Sequence, residues 1–122
     1  MLGCAGVIGP GGVKQGAVQT LDATQTAILR IGTETDKSLS LKVDIVGVQS
    51  DGSKAVNFVR RYSYKNDGGV LTLNGLYTGV HEEVDGTLWS VALVVSISTI
   101  VVKVTGAAGV TINWKAKVEV FR

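Results

Sequence analysis

The chain has 122 residues, a formal net charge of +2, and 45% apolar against 18% charged residues. That is the length of one domain with one core, without room for a catalytic domain beside a cofactor domain. It is too apolar for a disordered chain and too nearly neutral to argue for nucleic-acid binding. A single cysteine, Cys4, and a single histidine, His81, exclude an intrachain disulfide framework, a cysteine-cluster zinc site and any scheme needing two histidines.

Residues 1–20 read as a Gly-rich N-terminal arm, with Gly3, Gly6, Gly9, Gly11, Gly12 and Gly16, flexible unless something holds it. Val13, Ala17 and Val18 could begin a weak first strand there. The opening Met1 to Pro10 has neither a basic n-region nor an adequate apolar h-region, so no signal peptide is expected. Leu2-Gly3-Cys4 has the outline of a lipoprotein box but lacks its preceding hydrophobic stretch. Cys4 is therefore expected as a small thiol in the arm or in a subunit contact. Gly11-Gly12-Val13-Lys14-Gln15-Gly16 misplaces the lysine of a phosphate loop and has no Ser or Thr after it.

Residues 21–122 are the folded domain. Val, Ile and Thr make up 38 residues (20, 7 and 11), and Pro10 is the only proline among 16 glycines and many short β-branched runs. Such side chains pack well on a pleated surface and lose rotamer freedom in a helix. Ala23 to Gly32 places Ala27, Leu29 and Ile31 on one face. Ser38 to Gln49 alternates Leu39, Leu41, Val43 and Ile45 against Ser40, Lys42 and Asp44. Ser50-Asp51-Gly52-Ser53 is a turn, because Asp-Gly supplies the positive φ that tight hairpins need. Ala55 to Tyr64 returns with Val56, Phe58, Arg60, Tyr62 and Tyr64 on one face. After the turn Lys65-Asn66-Asp67-Gly68-Gly69 comes a strand over Val70 to Leu76, then a looser stretch to His81.

Val84-Asp85-Gly86 marks a third turn, and Leu88 to Ile97 reads as the longest strand. Gly86 to Val102 carries no charge over 17 residues, but its period of two and its serines predict strands and no membrane span. Ser98-Thr99 is the expected reversal, Ile100 to Thr105 the next strand, and Gly106-Ala107-Ala108-Gly109 a loop. Val110 to Phe121 alternates most cleanly, with Val110, Ile112, Trp114, Ala116, Val118 and Val120 inward. Seven or eight strands with hairpin-length turns predict an all-β, antiparallel β-sandwich, jelly-roll-like, with two unequal sheets.

Candidate chemistry is sparse. His81-Glu82-Glu83-Val84-Asp85 is the densest titratable group. As a cation site it would use Glu82, Glu83 and Asp85, but its spacing matches no calcium loop. The favoured reading is a solvated acidic loop that keeps a sheet end from pairing. Arg60 and Arg61, beside Tyr62 and Tyr64, fall on opposite faces of one strand and cannot form a single basic strip. The favoured reading is a strand arginine lying over aromatic neighbours. Trp89 and Trp114 are expected in the core or a subunit contact with Val91, Leu93, Ile112 and Val118. No catalytic residue, cofactor or firm metal site is expected.

Trp89-Ser90-Val91, followed by Val101-Val102-Lys103-Val104-Thr105-Gly106-Ala107-Ala108-Gly109-Val110-Thr111-Ile112-Asn113-Trp114-Lys115-Ala116-Lys117-Val118, resembles a pattern recurrent in tailed-bacteriophage virion proteins. Asp51-Gly52-Ser53-Lys54-Ala55 and Lys65-Asn66-Asp67-Gly68-Gly69 resemble that family's turns. The resemblance covers roughly residues 20–122 and departs at Ser96-Ile97-Ser98-Thr99, where the family usually has a glycine. It implies a non-enzymatic structural β-domain of a virion, a tail or fibre component or a capsid-decorating cement protein, often a homotrimer. The partners implied are further copies of the chain and other virion proteins, with neither nucleic acid nor membrane. The alternative is a receptor- or glycan-binding module of a tail fibre that uses the turns at 65–69 and 81–86. Beginning at Met1 and holding one domain, the chain is expected to be a whole gene product. Its arm is expected to reach a neighbouring subunit.

Overall fold

The computed structural model describes the backbone of residues 11–84 and 89–121 and the side chains of 12–75 and 89–121. Among the described residues eight strands follow one another: β1 (Gly11–Thr20), β2 (Thr26–Gly32), β3 (Lys37–Gln49), β4 (Ala55–Asp67), β5 (Val70–Val84), β6 (Ser90–Ser96), β7 (Thr99–Thr105) and β8 (Ile112–Phe121). They form a five-stranded sheet in the order β1-β8-β3-β4-β5 and a three-stranded sheet in the order β2-β7-β6. Every pairing is antiparallel. The protein is an all-β sandwich of two unequal antiparallel sheets, as alternation and turn spacing predict.

The core lies between the sheets. From β3 it takes Leu39, Leu41, Val43 and Ile45, and from β4 Val56, Phe58, Tyr62 and Tyr64. Ile112, Trp114, Ala116, Val118 and Val120 enter from β8, and Ile31, Val91, Ile100, Val102 and Val104 from the smaller sheet. Burying a large aliphatic side chain contributes roughly 1.5–3 kcal/mol, so these strict alternations both place and hold the layers. Thr26, Ala27, Ile28 and Leu29 on β2 are all half-buried. The register shifts between Ala27 and Leu29, which shows why a simple alternation over 23–32 does not describe this strand.

Several boundaries differ from the sequence expectation: β2 begins at Thr26, β4 runs on to Asp67 through the expected turn at 65–69, and β8 begins at Ile112. Residues 11–20 are a full strand in register with β8, from Gly11↔Phe121 to Thr20↔Ile112. Backbone pairing orders this segment although it has few side chains to pack. β5 continues to Val84 and, at 15 residues, is the longest strand. Two register shifts against β4, between Val59 and Arg61 and between Ser63 and Tyr64, carry it past the stretch that reads as irregular. β6 is shorter than the predicted strand over 88–97. The reversal after it falls on Ile97-Ser98, one residue before the predicted Ser98-Thr99, with Ser96 and Thr99 paired across it. Its first residue, Ile97, holds φ at 58°, a conformation that β-branched propensity argues against.

Candidate functional site

The two tryptophans define one end of the core. Trp114 lies across from Gly47 on β3, and a Cβ placed on Gly47 would stand 2.7 Å from two atoms of its indole ring. Only a glycine lets the ring lie flat over the strand. The indole Nε1 donates to Thr20 Oγ1 at 3.0 Å, so the polar edge of a fully buried aromatic is satisfied. Trp89 meets Trp114 edge-to-face at 6.0 Å between ring centroids. Gly106 backs this cluster, because a Cβ there would come within 2.6 Å of Thr20 Oγ1 and 2.9 Å of Ile112 Cδ1. Trp89, Val91, Ile112, Trp114 and Val118 are buried, and Leu93 is half-buried against the same core. The rings are part of the packing between the sheets and offer no platform to a sugar.

Arg60 and Arg61 part as strand geometry requires. Arg61 is exposed on the outer face. Arg60 turns inward, its guanidinium 5.1 Å from the centroid of Phe58. Its Nη1 donates to the carbonyl of Val91 on β6 at 3.2 Å. One charged side chain therefore bridges the two sheets and stops at the outermost strand of the smaller one. Tyr62 and Tyr64 stack at 6.3 Å. Burial, and secondly its neighbour Tyr62, push the Tyr64 hydroxyl up to about 12.

At the end of the sandwich away from the tryptophans, three connections are tied together. Asn66 Nδ2 donates to Thr33 Oγ1 at 2.9 Å, and Thr33 Oγ1 donates to the carbonyl of Ser98 at 2.7 Å. Asn66 Oδ1 accepts from the Gly69 amide at 2.8 Å, and Asp36 Oδ1 accepts from the Gly68 amide at 2.8 Å. Asn66 is buried, so its amide acts as a strut between the β2–β3 connection and the β4–β5 hairpin. Sequence reasoning misses this strut, Gly47 and Thr20. Their signals are a turn asparagine and an inward-register glycine, which only a known three-dimensional neighbour makes specific.

The outer face of the larger sheet carries a shallow concavity of about 560 Å³ lined by Gln15, Ala17, Asp44, Val46, Lys115 and Lys117. Beside it on the same face, Lys117 and Glu119 stand 4.0 Å apart, both half-exposed, an ion pair of little energetic weight. A second open concavity, of about 540 Å³, lies on the outside of the smaller sheet between Arg30, Val94, Ile97, Val101 and Lys103. Both are open sheet surfaces: the first sets Asp44 beside Lys115 and Lys117, and the second carries the cations Arg30 and Lys103. The segment tested as a phosphate loop, Gly11 to Gly16, is extended strand. Glu82 and Glu83 pair through their backbone with Phe58 and Asn57. Their side chains and that of His81, together with Asp85 and Cys4, lie outside the described residues. Among the described residues no three His, Cys, Asp or Glu side chains come together as a metal site.

No protein-family model matches the chain, and no curated protein matches it. Among solved structures it is similar to the tailspike protein of Acinetobacter baumannii phage AM24, with a TM-score of 0.49 and 6% sequence identity. The likeness covers 92% of this chain and 26% of the tailspike.

Proposed function

We propose that the protein is a non-enzymatic structural component of a tailed-phage particle, acting through contacts with further copies of itself and with other virion proteins. The observation that carries this reading is the position of the sequence that resembles phage virion proteins. Val101 to Val118 forms β7, the loop at 106–111 and β8. β7 is the middle strand of the smaller sheet, and β8 lies between β1 and β3 in the larger one. The recognisable residues therefore supply the link between the layers and an interior strand of each. Gly106 and Trp114 within it are packing residues with van der Waals reasons for their identity. A motif of this kind specifies an architecture to be repeated and stacked, while a reaction would need polar groups converging on a pocket.

The test is made on the particle. Mass spectrometry of purified virions, with antibody labelling in electron micrographs, should find the chain as a stoichiometric component at one location. Its absence from purified particles made in cells that express it would overturn the proposal. So would turnover of a host-surface polysaccharide by the purified protein.

A further inference from the structure

The smaller sheet ends on β6, and among the described residues no strand pairs with its outer side. The other three sheet edges all carry charged residues: Lys14 on β1, Arg30 on β2, and Glu82 and Glu83 on β5. Charge on an edge is the ordinary defence against pairing with another chain. β6, Ser-Val-Ala-Leu-Val-Val-Ser, has none. Val94 and Val95 are 37% and 39% exposed, and Ile97 at the hairpin tip is 90% exposed. That isoleucine also holds the left-handed φ of 58°, a strained conformation at a residue that gains almost nothing from its own chain.

The ladder shows which groups point away from β7. A two-residue hairpin closes on a hydrogen-bonded pair, here Ser96 and Thr99. Antiparallel alternation then turns the amides and carbonyls of Val94, Ala92 and Ser90 toward β7, and those of Val95, Leu93 and Val91 toward the open side. Val91 fits this assignment, because its carbonyl takes the Arg60 guanidinium. Among the described residues nothing pairs with Leu93 and Val95 on that side, which leaves them for an incoming strand.

We propose that β6 is a self-pairing edge, which joins antiparallel to β6 of a second copy across a two-fold axis at Val94. Leu93 then exchanges hydrogen bonds with the partner's Val95 and Val95 with the partner's Leu93, while Val94 faces the partner's Val94 as a non-hydrogen-bonded pair. The occupant is a second copy because of charge. In an isologous strand pair each residue meets a residue of the same segment, so a strand that carries one sign of charge repels its mate. A wholly uncharged strand does not. Pairing joins the two three-stranded sheets into one of six strands. It covers Val94 on one face and Val95 on the other in both copies. The inference stands on the edge alone and holds whether or not the chain belongs to a virion.

Sedimentation of the full chain should show a dimer. With Cys4→Ser to remove the native thiol, Val94→Cys should give a disulfide-linked dimer under mild oxidation, because paired Cα atoms at a non-hydrogen-bonded position lie about 4.5 Å apart, within disulfide range. Val94→Lys should weaken the dimer at least tenfold while far-UV circular dichroism stays that of the parent. A parent chain that is monomeric at high micromolar concentration would overturn the proposal, as would a trimer. So would a dimer that Val94→Cys does not cross-link. The cross-link reads the register directly, so it decides the matter even if the lysine variant unfolds.

Discussion

Gly47 shows how much of this fold turns on a hydrogen atom. It occupies the inward register that Leu39, Leu41, Val43 and Ile45 establish on β3, where alternation calls for another large apolar side chain. The space is filled instead by Trp114 from the neighbouring strand. Gly47→Ala sets a methyl group 2.7 Å from the ring, so the indole must tilt, lengthening the 3.0 Å bond to Thr20 and disturbing the contact with Trp89. Overpacking of this kind costs about 1–3 kcal/mol. Urea denaturation should show that loss, and near-UV circular dichroism should show a changed tryptophan signal. An unchanged midpoint would mean that the ring does not need the glycine. Sequence reasoning places Trp114 inward from its alternation with Asn113 and Lys115. It does not single out Gly47, since an inward glycine is equally consistent with a bulge, a bend or a close approach.

At the scale of the element, the β6–β7 hairpin is where local propensity and structure disagree most. Two strands with a tight turn are legible from the alternation of Trp89, Val91, Leu93 and Val95 and from the uncharged run. The turn residues are not, because Ile97 is among the least suited of all to the first central position of a turn with positive φ there. The comparable misreading of β5 has another cause. Two register shifts break its period, and an irregular strand looks like a loop when pairing cannot be seen. For the hairpin the consequence is measurable. Ile97→Gly relieves a conformation that costs an L-residue roughly 1–2 kcal/mol. The side chain it removes is almost wholly exposed, so the substitution gives up little burial within the chain. The variant should be more stable by about 1 kcal/mol toward urea when measured at a dilution where copies do not associate. A less stable variant would show that the isoleucine tip packs on its own chain after all.

For the whole molecule, two unequal antiparallel sheets follow from the strand count and the short connections, whereas the strand order does not. Alternation says which side of a strand is buried and nothing about which strand lies beside it. Thus the pairing of β1 with β8, 94 residues apart at Gln19 and Asn113, has no local signature. The same holds for what keeps the layers in register. The hydrophobic contact between sheets is non-directional, so polar groups fix the relative position at one end: Thr33, from the smaller sheet's side, joins Ser98 to Asn66 of the larger sheet. Thr33→Val removes the donor to Ser98 and the acceptor for Asn66 together, leaving one donor of a buried amide unpaired, which costs about 1–3 kcal/mol. Thr33→Ser keeps both bonds and should lie well below that range. In a double-mutant cycle with Asn66→Ala the two losses should fall short of additive by about 0.5 kcal/mol or more, and amide exchange at Gly69 should accelerate in each single variant. Strict additivity would mean that the two connections are held independently, and that the position of one sheet over the other is set by the core alone.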